Sequence, residues 1–202
     1  MASVARKTYT PDEYLALERE AKHRSEYING EIYAMAGASE AHVTITGNLW
    51  TEIKQQLKGK PCRSYAIYMR VQVSATGMYT YPDLVATCGE RAFSDAKQDS
   101  LTNPTFIAEV LSPSTEAYDR GEKFAHYREL PSLQEYVLVA QDKMQVERYM
   151  RHGEDWLLSV ISDPATSLHA TSIGCAIPLS EIYRDVEFPA DLSPEPHTSM
   201  EF

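Results

Sequence analysis

The chain has 202 residues, of which 43% are hydrophobic and 24% charged, a composition that suits one globular domain with a sizeable core and is short for two. Its formal net charge of −10 repels a phosphate backbone unless basic residues gather locally or a cation is bound. No apolar run approaches the roughly 18 residues of a membrane span, and MASVARKTYT lacks the apolar core of a secretory leader, so the expected location is cytoplasmic.

Residues 1–8 read as a loose arm. Thr10 then stands as an N-cap before Pro11, with Glu13 three residues after the cap, and this predicts a short amphipathic helix over TPDEYLALERE. SEYINGEIYAM follows as two short β-prone runs joined by Asn29-Gly30, the strongest local signal for a tight hairpin. Apolar residues at Val43, Ile45, Leu49, Trp50, Ile53 and Leu57 predict a longer helix from about Ser39 to Leu57. Residues 62–73 and 81–88 are β-prone, and a polar loop leads on to a strand over residues 105–111. YDRGEKFAHYREL predicts a third helix; LQEYVLVA, KMQVERYMR and WLLSVIS a series of strands; PLSEIYRDV a last short helix. The tail from Pro189 is rich in Pro and Ser and reads as disordered. Cys62, Cys88 and Cys175 are odd in number and form no CxxC pair, so they are expected to be small core residues. This order of elements predicts an α/β or α+β fold with a central mixed sheet flanked by helices.

The strand TFIAEVL raises a chemical question. Alternation puts Ile107, Glu109 and Leu111 on one face and Phe106, Ala108 and Val110 on the other, so both faces are apolar except for Glu109. A buried ionised carboxylate without partners costs several kcal/mol or more, as an order of magnitude, so Glu109 has to be protonated, paired or bound to a cation. YPDLVAT supplies a second acid, Asp83, after Pro82 at a strand start. Two acids on neighbouring strands outline a site for a hard cation, because Mg²⁺ uses one or two carboxylates and completes its shell with waters and phosphate oxygens. In the third helix Lys123, Tyr127 and Leu130 are spaced i, i+4, i+7 and share the face that packs on the sheet, so Lys123 points inward and needs an anion.

A Pro-Asp at a strand start followed about 25 residues later by Glu in a hydrophobic strand resembles the PD-(D/E)xK nuclease superfamily. More closely, YINGEIYAMAG, YPDLVA, AEVLSPST, the spacing from Asp119 through Lys123 to Tyr127, and LQEYVLV resemble the Uma-type restriction endonuclease family within it, over about residues 10–185. The resemblance implies a restriction-endonuclease-like core as one domain over residues 1–188. It implies a metal-dependent endonuclease acting on DNA, with Mg²⁺ or Mn²⁺ held by Asp83, Glu109 and the backbone carbonyl of Val110. The superfamily's usual lysine, two residues after the Glu, is replaced here by Leu111, and the resemblance implies that Lys123 takes its place. Glu31 and His42 are further site candidates, and the N-terminal acid is either Glu26 or Glu31. Paired cuts imply a homodimer.

Each residue also has a plainer reading. Glu109 and Lys123 form a structural ion pair on a non-catalytic interaction or scaffold protein of the same fold, a reading the net charge favours. Asp83 can be a strand-cap acid, Asp119 the acid of a helix N-terminus, and His42 a hydrogen-bonded histidine. Lys54, Lys58, Lys60, Arg63 and Arg70 form either a solvated face or the local basic patch that DNA binding requires. A phosphodiester other than DNA meets no objection from the acidity.

Overall fold

The structure is a computed structural model that describes residues 7–188. Most of the loose arm and the tail from Pro189 lie outside the described residues. Helix α1 (Pro11–Glu20) starts as its sequence dictates: the Glu13 amide donates to Thr10 Oγ1 at 3.2 Å, and the Thr10 amide donates back to Glu13 Oε2 at 2.7 Å. The hairpin of β1 (Ser25–Ile28) and β2 (Glu31–Ala34) turns at Asn29 (φ 50°) and Gly30 (φ 90°), the left-handed pair that a two-residue loop requires. Helix α2 (Glu40–Gln56) is capped by Ser39, whose Oγ accepts from the His42 amide.

Next come β3 (Cys62–Ala66), β4 (Arg70–Val73), β5 (Met78–Thr80), β6 (Leu84–Cys88), β7 (Ser100–Leu101) and β8 (Phe106–Leu111). The third helix is one continuous rod with a wide turn inside it: α3 (Glu116–Tyr118), a π-helical turn (Asp119–Lys123) and α4 (Phe124–Arg128). The chain continues through β9 (Glu135–Ala140), β10 (Val146–His152), β11 (Asp155–Ile161), β12 (Ser167–Ala170), β13 (Cys175–Pro178) and α5 (Leu179–Ile182).

The central sheet has six strands in the order β11-β10-β9-β8-β6-β3. It is mixed, since β8 runs antiparallel to β6 and parallel to β9. Alternation along β8 divides the core. Phe106, Ala108 and Val110 pack with Ile45, Leu49 and Ile53 of α2, while Ile107 and Leu111 pack with Phe124 and Tyr127. The sequence pointed to one sheet, whereas β2-β1-β5-β4-β7 form a second of five strands and β12-β13 a separate ribbon. The unforeseen strands β5, β7, β12 and β13 have two to four residues each, too few to show a period.

Two further expectations are corrected. Cys62 and Cys88 are not unpaired core residues: the β3–β6 register sets them opposite each other and they form a disulfide, leaving Cys175 as the free, buried cysteine. Arg70 does not belong to a basic face. It is 2% exposed and binds Ser100 Oγ (2.7 Å), Tyr81 Oη (3.0 Å) and Asp99 Oδ1 (2.9 Å). That network joins β4 to β7 and, through Arg19 paired with Asp95 and Asp99, to α1. Among the described residues no helix is long and apolar enough to cross a membrane.

Candidate functional site

Asp83 sits in the bend immediately before β6, one residue short of the strand whose start it was expected to occupy. Because Leu84 pairs with Ala108, Asp83 falls beside Glu109. The two acids are interlocked through backbone amides. Asp83 N–H donates to Glu109 Oε2 at 3.2 Å, and Val110 N–H donates to Asp83 Oδ2 at 2.8 Å. Val110 therefore enters the site by its amide, and its side chain packs into the α2 core. His42, near the start of α2, holds the other oxygen of Asp83 through Nε2 at 2.8 Å.

Glu109 is 3% exposed. Its Oε1 receives Lys123 Nζ at 2.9 Å and Tyr127 Oη at 2.9 Å, both from the helix above it. Lys123 Nζ also lies 3.4 Å from Glu26 Oε1 and 3.5 Å from Asp119 Oδ1. Asp119, Lys123 and Tyr127, spaced four apart through the π turn and into α4, share the inward face and are all buried. Glu26 is positioned from β1, where its Oε1 accepts from the Tyr81 amide (3.2 Å) and from the Thr80 hydroxyl.

These groups form the floor of a cavity of about 690 Å³. Glu26, Asp83, Glu109, Asp119 and Glu122 line it, with Lys123 as the one Lys or Arg among the described residues that does so. Burial pushes the Glu109 carboxyl up to about 8, against the pull of Lys123, and Asp119 and Asp83 push it further the same way. Burial also raises Asp119 above its ordinary value, again opposed by Lys123. Lys123 is drawn down by burial but held protonated by Glu109, Glu26 and further partners, and its pKa ends well above that of an ordinary lysine. The proton therefore stays on Lys123, and the surplus of negative charge is relieved by protonating Glu109 or by a second cation.

The donor set fits a hard divalent ion, because carboxylate oxygens of Asp83, Glu109 and Glu26 face one cavity and one or two carboxylates suffice for Mg²⁺. Among the described residues, no three His, Cys, Asp or Glu side chains stand ready as a metal cage. The carboxylate oxygens of Asp83 and Glu109 are occupied by the donors named above.

The structure brings the predicted Asp83, Glu109, Lys123 and His42 into one cavity. Glu26, not Glu31, is the N-terminal acid that lines it; Glu31 instead accepts from Tyr33 Oη at 2.5 Å. Asp119 is in the cluster and is no mere helix-start acid, which its position four residues before Lys123 could have signalled. Tyr127 as a ligand of Glu109 was missed, although its place on the inward face was not.

Comparison with known proteins agrees with the fold. A crystal structure from Anabaena variabilis, described as that of "a putative nuclease belonging to DUF820", shares the fold with a TM-score of 0.71 at 20% identity, over 87% of this chain and 97% of that one. Two uncharacterized proteins of Synechocystis sp. are similar in sequence. The protein slr1290 is 38% identical over 181 residues, 89% of this chain and 93% of its own. The protein sll1609 is 38% identical over 160 residues, 79% of this chain and 90% of its own. The model of the Uma2 family, described as "Putative restriction endonuclease", matches residues 11–180, and the chain belongs to that family.

Proposed function

We propose that this chain is a nuclease that hydrolyses DNA phosphodiesters with Mg²⁺ or Mn²⁺ held by Asp83, Glu109 and the carbonyl of Val110, assisted by Glu26. The observation that carries the reading is the concentration of carboxylates around one buried lysine on the floor of a single cavity. As a purely structural arrangement it is unbalanced, since one ammonium does not neutralise four buried or half-buried acids.

A bound divalent ion supplies a water of lowered pKa and screens the charge of the phosphodiester. Lys123, 6% exposed, offers an ammonium donor to the non-bridging phosphate oxygen or to the attacking water. His42 fixes the rotamer of Asp83, and Tyr127 that of Glu109, so the two carboxylates are held before substrate arrives. The test is cleavage of labelled DNA with Mg²⁺ or Mn²⁺ by the wild type, Asp83→Asn and Glu109→Gln. The reading expects cleavage that requires the metal and disappears in both variants. A wild type that binds DNA or protein partners but leaves every phosphodiester intact is the interaction protein instead.

A further inference from the structure

The mouth of the cavity differs in kind from its floor. Tyr33, Met35, Val43 and Ile67 line it and are each at least 39% exposed, large side chains with apolar surface at the entrance to an acidic pocket. Ile67 is the most unusual of them. Its φ of 64° puts a β-branched residue in the left-handed region, where such side chains clash with their own backbone. The strain is fixed in place, because Ile67 N–H donates to the carbonyl of Asp83 at 3.0 Å and Tyr68 N–H donates to the carbonyl of Ala66 at 2.7 Å. An exposed residue gains little from burial, so packing does not account for a strained isoleucine at this point. Tyr33 is likewise held, its hydroxyl donating to Glu31.

We propose that Ile67 is a wedge, and Tyr33 with Met35 and Val43 an apolar platform, that receive the bases of an unpaired nucleic-acid strand and lead its phosphate down to the acid cluster. The proposal rests on the nuclease reading and names its substrate as a single-stranded or unpaired segment. Two observations and one general property of bases support it. The cluster is buried at the bottom of the cavity, so a phosphate in a paired, stacked duplex would have to leave the helix to reach it. The lining provides Lys123, already committed to three carboxylates, and His42, paired with Asp83, as its basic groups among the described residues, so the backbone finds few cationic contacts there. Apolar and aromatic side chains recognise bases through their faces, which are accessible only when unpaired, and apolar wedges separate stacked bases.

The experiment compares a labelled single strand, the same sequence as a blunt duplex, and a duplex bearing an unpaired flap, each in Mn²⁺, for cleavage and for binding by fluorescence anisotropy. Hydrolysis of methyl p-nitrophenyl phosphate, which has no base, runs alongside with the wild type. The single strand and the flap are expected to be bound and cut in preference to the duplex. Ile67→Gly suits the left-handed backbone, so it should melt at a higher temperature than wild type yet bind the single strand more weakly. Tyr33→Ala should weaken binding by roughly five- to a hundred-fold, the range for losing one stacked base. A duplex cut as fast as the single strand, or an Ile67→Gly variant that binds the single strand as wild type does, overturns the proposal while leaving the nuclease reading standing if the small diester is hydrolysed. If neither the small diester nor any strand is cut, the nuclease reading falls and this proposal with it.

Discussion

At the scale of single residues, Glu109 sets the energetic problem and its neighbours solve it in part. Its raised pKa means that the folded protein binds a proton more readily than the unfolded chain between the ordinary value of 4.5 and about 8. Folding stability without metal is then expected to fall as pH rises through that window, and Glu109→Gln to flatten the slope in pH-dependent melting curves. Lys123→Ala removes the ammonium that faces Glu109, Glu26 and Asp119, and truncating one member of a buried pair costs about 3–5 kcal/mol in denaturant titration. The same variant should lose cleavage while keeping metal binding, because an ammonium is not a ligand. Leu111 is buried on the Glu109 face, so Lys123→Ala with Leu111→Lys should regain part of the activity. Asp83, Glu109 and Lys123 were nameable from sequence because strand alternation and helical spacing are local patterns. The choice of Glu26 over Glu31 was not, because it depends on β1 lying beside β5, which no local pattern encodes.

At the scale of elements, the capped helices and the Asn-Gly hairpin were legible because their signals lie within a few residues of each other. The disulfide was not, since it requires the β3–β6 register that brings together cysteines 26 residues apart. Closing a loop of that length is worth about 3–4 kcal/mol in the chain-entropy account, so reduction should lower the denaturation midpoint by a corresponding amount. The docking of α1 provides a second test. Arg19, then Arg70, holds the carboxyl of Asp99 down to about 2, against its partial burial. A depressed acid contributes stability that is present above its ordinary pKa of 3.8 and is lost as pH falls toward about 2, so Asp99→Asn should blunt the acid limb of unfolding in that range. The π turn had no sequence signal, yet it carries Asp119 and Lys123 and leads into the α4 turn that carries Tyr127, and Lys123 and Tyr127 both reach Glu109.

At the scale of the whole molecule, the central mixed sheet and its two helical faces were anticipated because β8, buried on both sides, reads as a continuous apolar strand. The second sheet escaped notice because its strands are short and its contacts long-range. The net charge of −10 opposes a nucleic-acid substrate, and the cation proposed for the acid cluster would offset it locally. Metal bound only by the folded state also stabilises it by mass action, so saturating Mn²⁺ should raise the wild-type melting temperature. The central claim is that a divalent cation binds between Asp83 and Glu109, and calorimetric titration of Mn²⁺ into wild type, Lys123→Ala and Asp83→Asn measures it directly. Binding by the first two and none by Asp83→Asn is the predicted result; Asp83→Asn binding Mn²⁺ as wild type does would contradict it.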